Sequence, residues 1–105
     1  MINVLLLMRD HSLCGFEISG HSTENSDDFD GKLVCSAVSS AAIMTANTIT
    51  DVLHDDADVK TEDGYLSIIA KDEDKCGEIL DGFRLHISAL SDEYPDKIRV
   101  KFIAE

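Results

Sequence analysis

Residues 34–53, VCSAVSSAAIMTANTITDVL, decide the fold. Val38, Ala42, Ile49 and Val52 or Leu53 recur there at spacings near 3.6 residues, and Ala41 and Ala46 add small packing surfaces. The pattern predicts a long central helix packed closely on a sheet. On its N-terminal side, INVLLLMR (residues 2–9) is an apolar run that ends in turn residues Asp10, His11 and Ser12. In residues 13–20, Cys14, Phe16 and Ile18 alternate with Glu17 and Ser19, so the two runs form a hairpin, with Cys14 as a small core residue. On its C-terminal side, strand-like segments at 57–61 and 65–71 are joined by a tight turn through Glu62, Asp63 and Gly64. A second helix is expected over 74–93, with Ile79, Leu80, Phe83, Ile87 and Leu90 on one face, Asp72 or Asp74 as cap and Pro95 just past the end. KIRVKFI, residues 97–103, alternates Ile98, Val100 and Phe102 against Arg99 and Lys101 as a last strand.

The order is ββαββαβ, which predicts a single α+β domain over 1–105. It is a two-layer sandwich in which two helices cover one face of a mostly antiparallel sheet. The opposite face, with Leu5, Leu7, Ile69 and Ile103, is too apolar on this reading to stay fully wet, which points to a homodimer or a partner surface.

Composition narrows the function classes. The chain of 105 residues carries 21 acidic and 9 basic residues, a net charge of −12, with no cluster of Lys or Arg. Such a chain repels phosphate backbones, which argues against direct nucleic-acid binding and favours a basic protein or peptide as partner. The longest apolar stretch, residues 4–8, is too short for a membrane span or a secretory signal, so a soluble cytoplasmic protein is expected. Three cysteines, Cys14, Cys35 and Cys76, form no even set and no C-x-x-C motif, so neither a disulfide framework nor a metal site is indicated.

Of these three, Cys35 stands where a nucleophile would. On the predicted boundary it falls in the first turn of the 34–53 helix, where unpaired backbone N–H groups would favour a thiolate and could hold an oxyanion. Cys76 lies among acidic residues that raise a thiol pKa. His21, in GFEISGHS, stands at the end of a strand; His11 falls in a turn, His54 ends a helix and His86 lies on the second helix. Between His21 and Cys35 runs a polar, acidic connection over residues 21–32, long enough to be a functional loop. Ser39, one helical turn after Cys35, could donate a hydrogen bond to the thiolate or orient a substrate, and equally could be a small residue that permits close packing. Pattern alone leaves a catalytic pair and a buried structural cysteine both open.

Gly20-His21, the acidic segment, and then Leu33-Val34-Cys35-Ser36-Ala37-Val38-Ser39 together resemble the ribosomal-processing cysteine protease family, Prp. The resemblance implies a homodimeric α+β endopeptidase that needs no cofactor and removes a short N-terminal extension from large-subunit ribosomal protein L twenty-seven. It makes Cys35 the nucleophile, His21 the general base and acid, and Ser39 a supporting residue. Ser22, Asp28, Phe29, Gly31 and Lys32 would belong to a substrate-binding or lid loop. The chain departs from the family pattern at Lys32, where an acidic residue is usual, at Ser36, which replaces a common alanine, and in a slightly longer loop. A non-catalytic ribosome-associated binding protein and a thiol-based regulatory module on the same fold are the alternatives.

Overall fold

The computed structural model describes residues 1–20 and 27–105, so His21 and Ser22 lie outside the described residues. The elements are β1 (Ile2–Arg9), β2 (Ser12–Ser19), α1 (Phe29–Asn47), a π-helical turn (Thr48–Val52), β3 (Asp58–Glu62), β4 (Tyr65–Ile69), α2 (Glu73–Glu93) and β5 (Ile98–Ala104). The expected ββαββαβ order holds, and the strands lie in the order β3-β4-β2-β1-β5. Antiparallel pairing joins β1 to β2, β2 to β4 and β3 to β4, while β1 and β5 are parallel. It follows that β2 is parallel to β3, and β4 to β5, so α1 and α2 are both crossover connections. They leave antiparallel strands and cross the sheet in opposite directions, so right-handed connection puts both on the same face.

The first hairpin turns on Asp10 and His11, with φ of 52° and 69°, a left-handed pair that matches the twist of the flanking strands. Leu7 faces Gly15 but Met8 faces Leu13, so Cys14 is an extra residue at a β-bulge. Cys14 is buried, as expected, but lies outside the main helix-covered cluster, with its Sγ 3.5 Å from the Leu7 carbonyl oxygen. A Cβ on Gly15 would collide with the Ile68 carbonyl oxygen, which explains the glycine beside the bulge.

The core joins Ile2, Val4 and Leu6 of β1, Phe16 of β2 and Ile68 of β4 to Val34, Val38, Ala42 and Ile49 above them. From α2 come Cys76, Leu80, Phe83 and Ile87, with Ile79 and Leu90 half-buried, as the sequence pattern predicts. Phe16 stacks on Phe83 at 4.1 Å between ring centres. The 24-residue run Phe29–Val52 has the length and hydropathy of a membrane span, yet its inward stripe packs on this sheet.

Both ends of the central helix differ from expectation. At the C-terminal end the Leu53 N–H donates to the Thr48 carbonyl oxygen, an i to i+5 bond that rotates the following residues. Ile49 stays buried while Val52 is turned out to 68% exposure. Thr45 takes an unexpected core position, its hydroxyl donating to the Ala41 carbonyl oxygen at 2.8 Å so that no polar group is stranded.

At the N-terminal end α1 begins at Phe29, five residues before the predicted start at Val34. Asp28 is its N-cap: Oδ1 accepts from Gly31 N at 3.0 Å, and Oδ2 pairs with Lys97 Nζ at 2.7 Å. Phe29, Gly31 and Lys32 are therefore the first helical turn rather than loop, and the connection from β2 is correspondingly shorter. The composition FDGK hides this start, because the glycine and the flanking charges read as coil. A cap anchored by a lysine 69 positions away overrides that propensity.

The uncovered sheet face is less apolar than expected. Register places Leu5 in a row with Lys60, Ser67, Glu17 and Lys101, while Leu7 and Ile69 are buried or half-buried and Ile103 is 38% exposed. Phe102, which shares the inward phase of Ile98 and Val100, is exposed.

Candidate active site

Cys35 is half-buried in the second turn of α1, one turn before Ser39. Both open onto a cavity of about 360 Å³, whose helix wall is completed by Val38, Ala42 and Ile43. Ile2, Ile18 and Gly20 form its floor, and the β3–β4 hairpin supplies the opposite wall through Thr61, Leu66 and the turn between them. Register sets the character of that wall. Thr61, Leu66 and Ile18 share the helix-facing row, whereas Glu62 and Tyr65 share a row with Ser19 on the opposite face. The polar side chains of described residues that face the cavity are thus Cys35, Ser39 and Thr61.

Gly20 ties the end of β2 to this cavity. Its N–H donates to the Gly64 carbonyl oxygen at 3.1 Å. Its φ of +87° belongs to the left-handed region, and a Cβ there would come within 2.5 Å of the Met1 carbonyl oxygen. The residue immediately before His21 is therefore held against both the hairpin turn and the N-terminus. Among the expected site residues, Cys35 and Ser39 share one cavity, which Gly20 also lines. Asp28, Phe29, Gly31 and Lys32 lie on the cap and first turn of α1, and His21 and Ser22 fall outside the described residues.

The earlier helix start changes the electrostatics expected around the sulfur. Gly31 N is taken by Asp28 Oδ1 and Lys32 N by the Asp28 carbonyl oxygen, and from Leu33 onward each N–H bonds within the helix. The Cys35 N–H is one of these, so the unpaired donors expected beside the thiol are absent at that position. Thr61, Gly64 and Leu66 were missed as wall residues: a tight Asp-Gly turn is legible in sequence, but its position over Cys35 depends on the crossover made by α1.

The other two thiols are poor nucleophiles. Burial pushes Cys76 up to about 11, with the neighbouring Asp55 carboxylate adding to the shift. Burial likewise raises Cys14. Iodoacetamide at neutral pH is expected to modify Cys35 at least about tenfold faster than either, the others reacting only on unfolding. Peptide mapping after timed alkylation checks this, and equal rates in the folded protein would refute it.

A family model described as cysteine protease Prp matches residues 1–99. The chain belongs to the Prp cysteine protease family. Its fold is also that of solved structures. S. aureus ribosomal processing protease Prp with a covalently linked product peptide superposes with a TM-score of 0.85 at 22% identity, over 98% of this chain and 100% of that one. The same S. aureus Prp with a substrate peptide gives 0.85 at 19%, with the same coverage. SMU.848 of Streptococcus mutans gives 0.84 at 22%, over 100% and 96%. No curated protein matches the chain. Membership of Prp makes the chain a cysteine protease by family, and the shared fold is the five-stranded, two-helix sandwich described above.

Proposed function

We propose that this protein removes the N-terminal extension of ribosomal protein L twenty-seven, with Cys35 as nucleophile and His21 as general base and acid. The observation that carries the reading is the half-buried Cys35 in a cavity that is also lined by Gly20, the residue before His21, whose N–H is hydrogen-bonded to the Gly64 carbonyl oxygen. His21 takes the thiol proton, and Sγ attacks the scissile carbonyl carbon to give a tetrahedral oxyanion. Collapse expels the amine, which leaves with the proton from His21, and a thioester remains on Cys35. Water, deprotonated by His21, then releases the acid and regenerates the thiol. Ser39, on the same helix face, supports the site by hydrogen bonding to the sulfur or the substrate.

The S. aureus structures with peptides support a ribosomal protein as substrate class. A net charge of −12 favours such a basic partner and disfavours nucleic acid. No cofactor enters the reaction. We place the protein in the cytoplasm as a homodimer, for which the outward apolar residues Met44 and Val52 along α1 and its extension offer surface. Incubating the reduced protein with extended L twenty-seven and weighing the products tests the reading. Release of the extension supports it, and tight association without product over long incubation overturns it in favour of a binding protein.

A further inference from the structure

The Cys35 cavity opens beside one end of the sheet. That end is β3, which among the described residues pairs only with β4, and all five of its residues are exposed. Its pairing with β4 is continuous from Asp58↔Ile69 to Glu62↔Tyr65, without bulge, and it contains no proline. Such an edge is open to pairing with another extended chain. The turn at Asp63 and Gly64 spans two residues, so the closing pair Glu62 and Tyr65 is hydrogen-bonded and the pattern alternates from there. Lys60 and Glu62 therefore direct their backbone groups to β4, while Val59 and Thr61 direct theirs outward.

We infer that the protease substrate docks as an added strand on the free edge of β3, hydrogen-bonded to Val59 and Thr61, and so runs into the Cys35 cavity. The inference rests on the protease reading above and says how that site holds a peptide. Three observations favour an extended peptide as occupant. Thr61 belongs both to this edge and to the cavity wall, so the rail is continuous with the site. Alternate side chains of an added strand would point between the exposed Val59 and Ile43, on the open flank of a cavity with apolar walls. The opposite edge, β5, lies beyond β1 on the far side of the sheet and lines no part of this cavity.

The test uses ¹⁵N-labelled Cys35→Ala protein and a synthetic peptide spanning the extension junction of L twenty-seven, with amide exchange read by NMR. At saturation, exchange at Val59 and Thr61 is expected to slow by about tenfold or more, as for amides gaining a hydrogen bond, with Lys60 little changed. Saturating binding that leaves Val59 and Thr61 unprotected overturns the rail. A second variant, Val59→Pro, removes one outward N–H without touching the bonds to β4. With its thermal unfolding checked, it is expected to raise KM about tenfold while kcat changes little. An unchanged KM in folded Val59→Pro protein counts against the rail. If the wild type cleaves the peptide but the edge shows no effect, the protease reading stands and the rail falls. If the peptide is neither bound nor cut, the substrate assignment falls and takes the rail with it.

Discussion

Cys35→Ala is expected to abolish cleavage of extended L twenty-seven, lowering kcat/KM by at least about 10⁴-fold, while the protein stays folded and still binds the peptide. The size of the effect follows from covalent catalysis: without Sγ no thioester forms, and the reaction reverts to attack by water in a site not arranged to activate it. The fold survives because the side chain is half-buried at a cavity rim and its loss leaves Val34 and Val38, the adjacent core residues of α1, in place. Product mass spectrometry and peptide affinity, measured on the same preparation, separate lost chemistry from lost binding. Cleavage by the alanine variant at anything near the wild-type rate would remove Cys35 as nucleophile.

Asp55→Ala is expected to destabilise the fold by about 1–3 kcal/mol, the cost of leaving two part-buried backbone donors without their buried acceptor. The side chain is only 1% exposed. Its Oδ1 accepts from Lys71 N at 2.8 Å and its Oδ2 from Asp72 N at 2.9 Å, with Lys75 Nζ at 4.0 Å. These bonds fasten the chain just after the π-helical turn to the junction of β4 and α2. They thereby fix the far end of the helix that carries Cys35.

The same contacts govern the acid limb of stability. Burial alone would raise the Asp55 pKa, but the two backbone N–H bonds and the nearby Lys75 outweigh it and hold the carboxyl below 3.8. A depressed folded-state pKa contributes stability in full above the unfolded value and loses it as pH falls through the folded value. Wild-type stability should therefore drop on acidification below about pH 4. Asp55→Asn should lack that part of the drop and be less stable at pH 7. Denaturant melts from pH 7 to pH 3 check both, and parallel curves for wild type and Asp55→Asn would show that Asp55 does not carry the effect.

Periodicity made most of the architecture readable. The inward rows of β1, β2 and α2 are strict enough in Val4, Leu6, Phe16, Leu80, Phe83 and Ile87 that burial follows from spacing alone. Spacing failed where long-range contacts or irregular backbone set the outcome. Cys14 occupies a bulge, Val52 is rotated out by a π-helical turn, and Phe29 to Lys32 became helical because Lys97 anchors the cap at Asp28.

The candidate site divides along the same line. The sequence by itself determined the element order, the inward faces and, through the Gly20-His21 and Leu33 to Ser39 motifs, the family, because these depend on residue identity at fixed local spacing. Only the tertiary structure decided that Cys35 lies one turn deep in α1, with its N–H spent inside the helix, and that the β3–β4 hairpin walls its cavity. Those facts depend on where a 24-residue crossover begins, twists and lands on the sheet. The cap, the π-helical turn and Asp55 set that geometry through contacts between residues far apart in the chain.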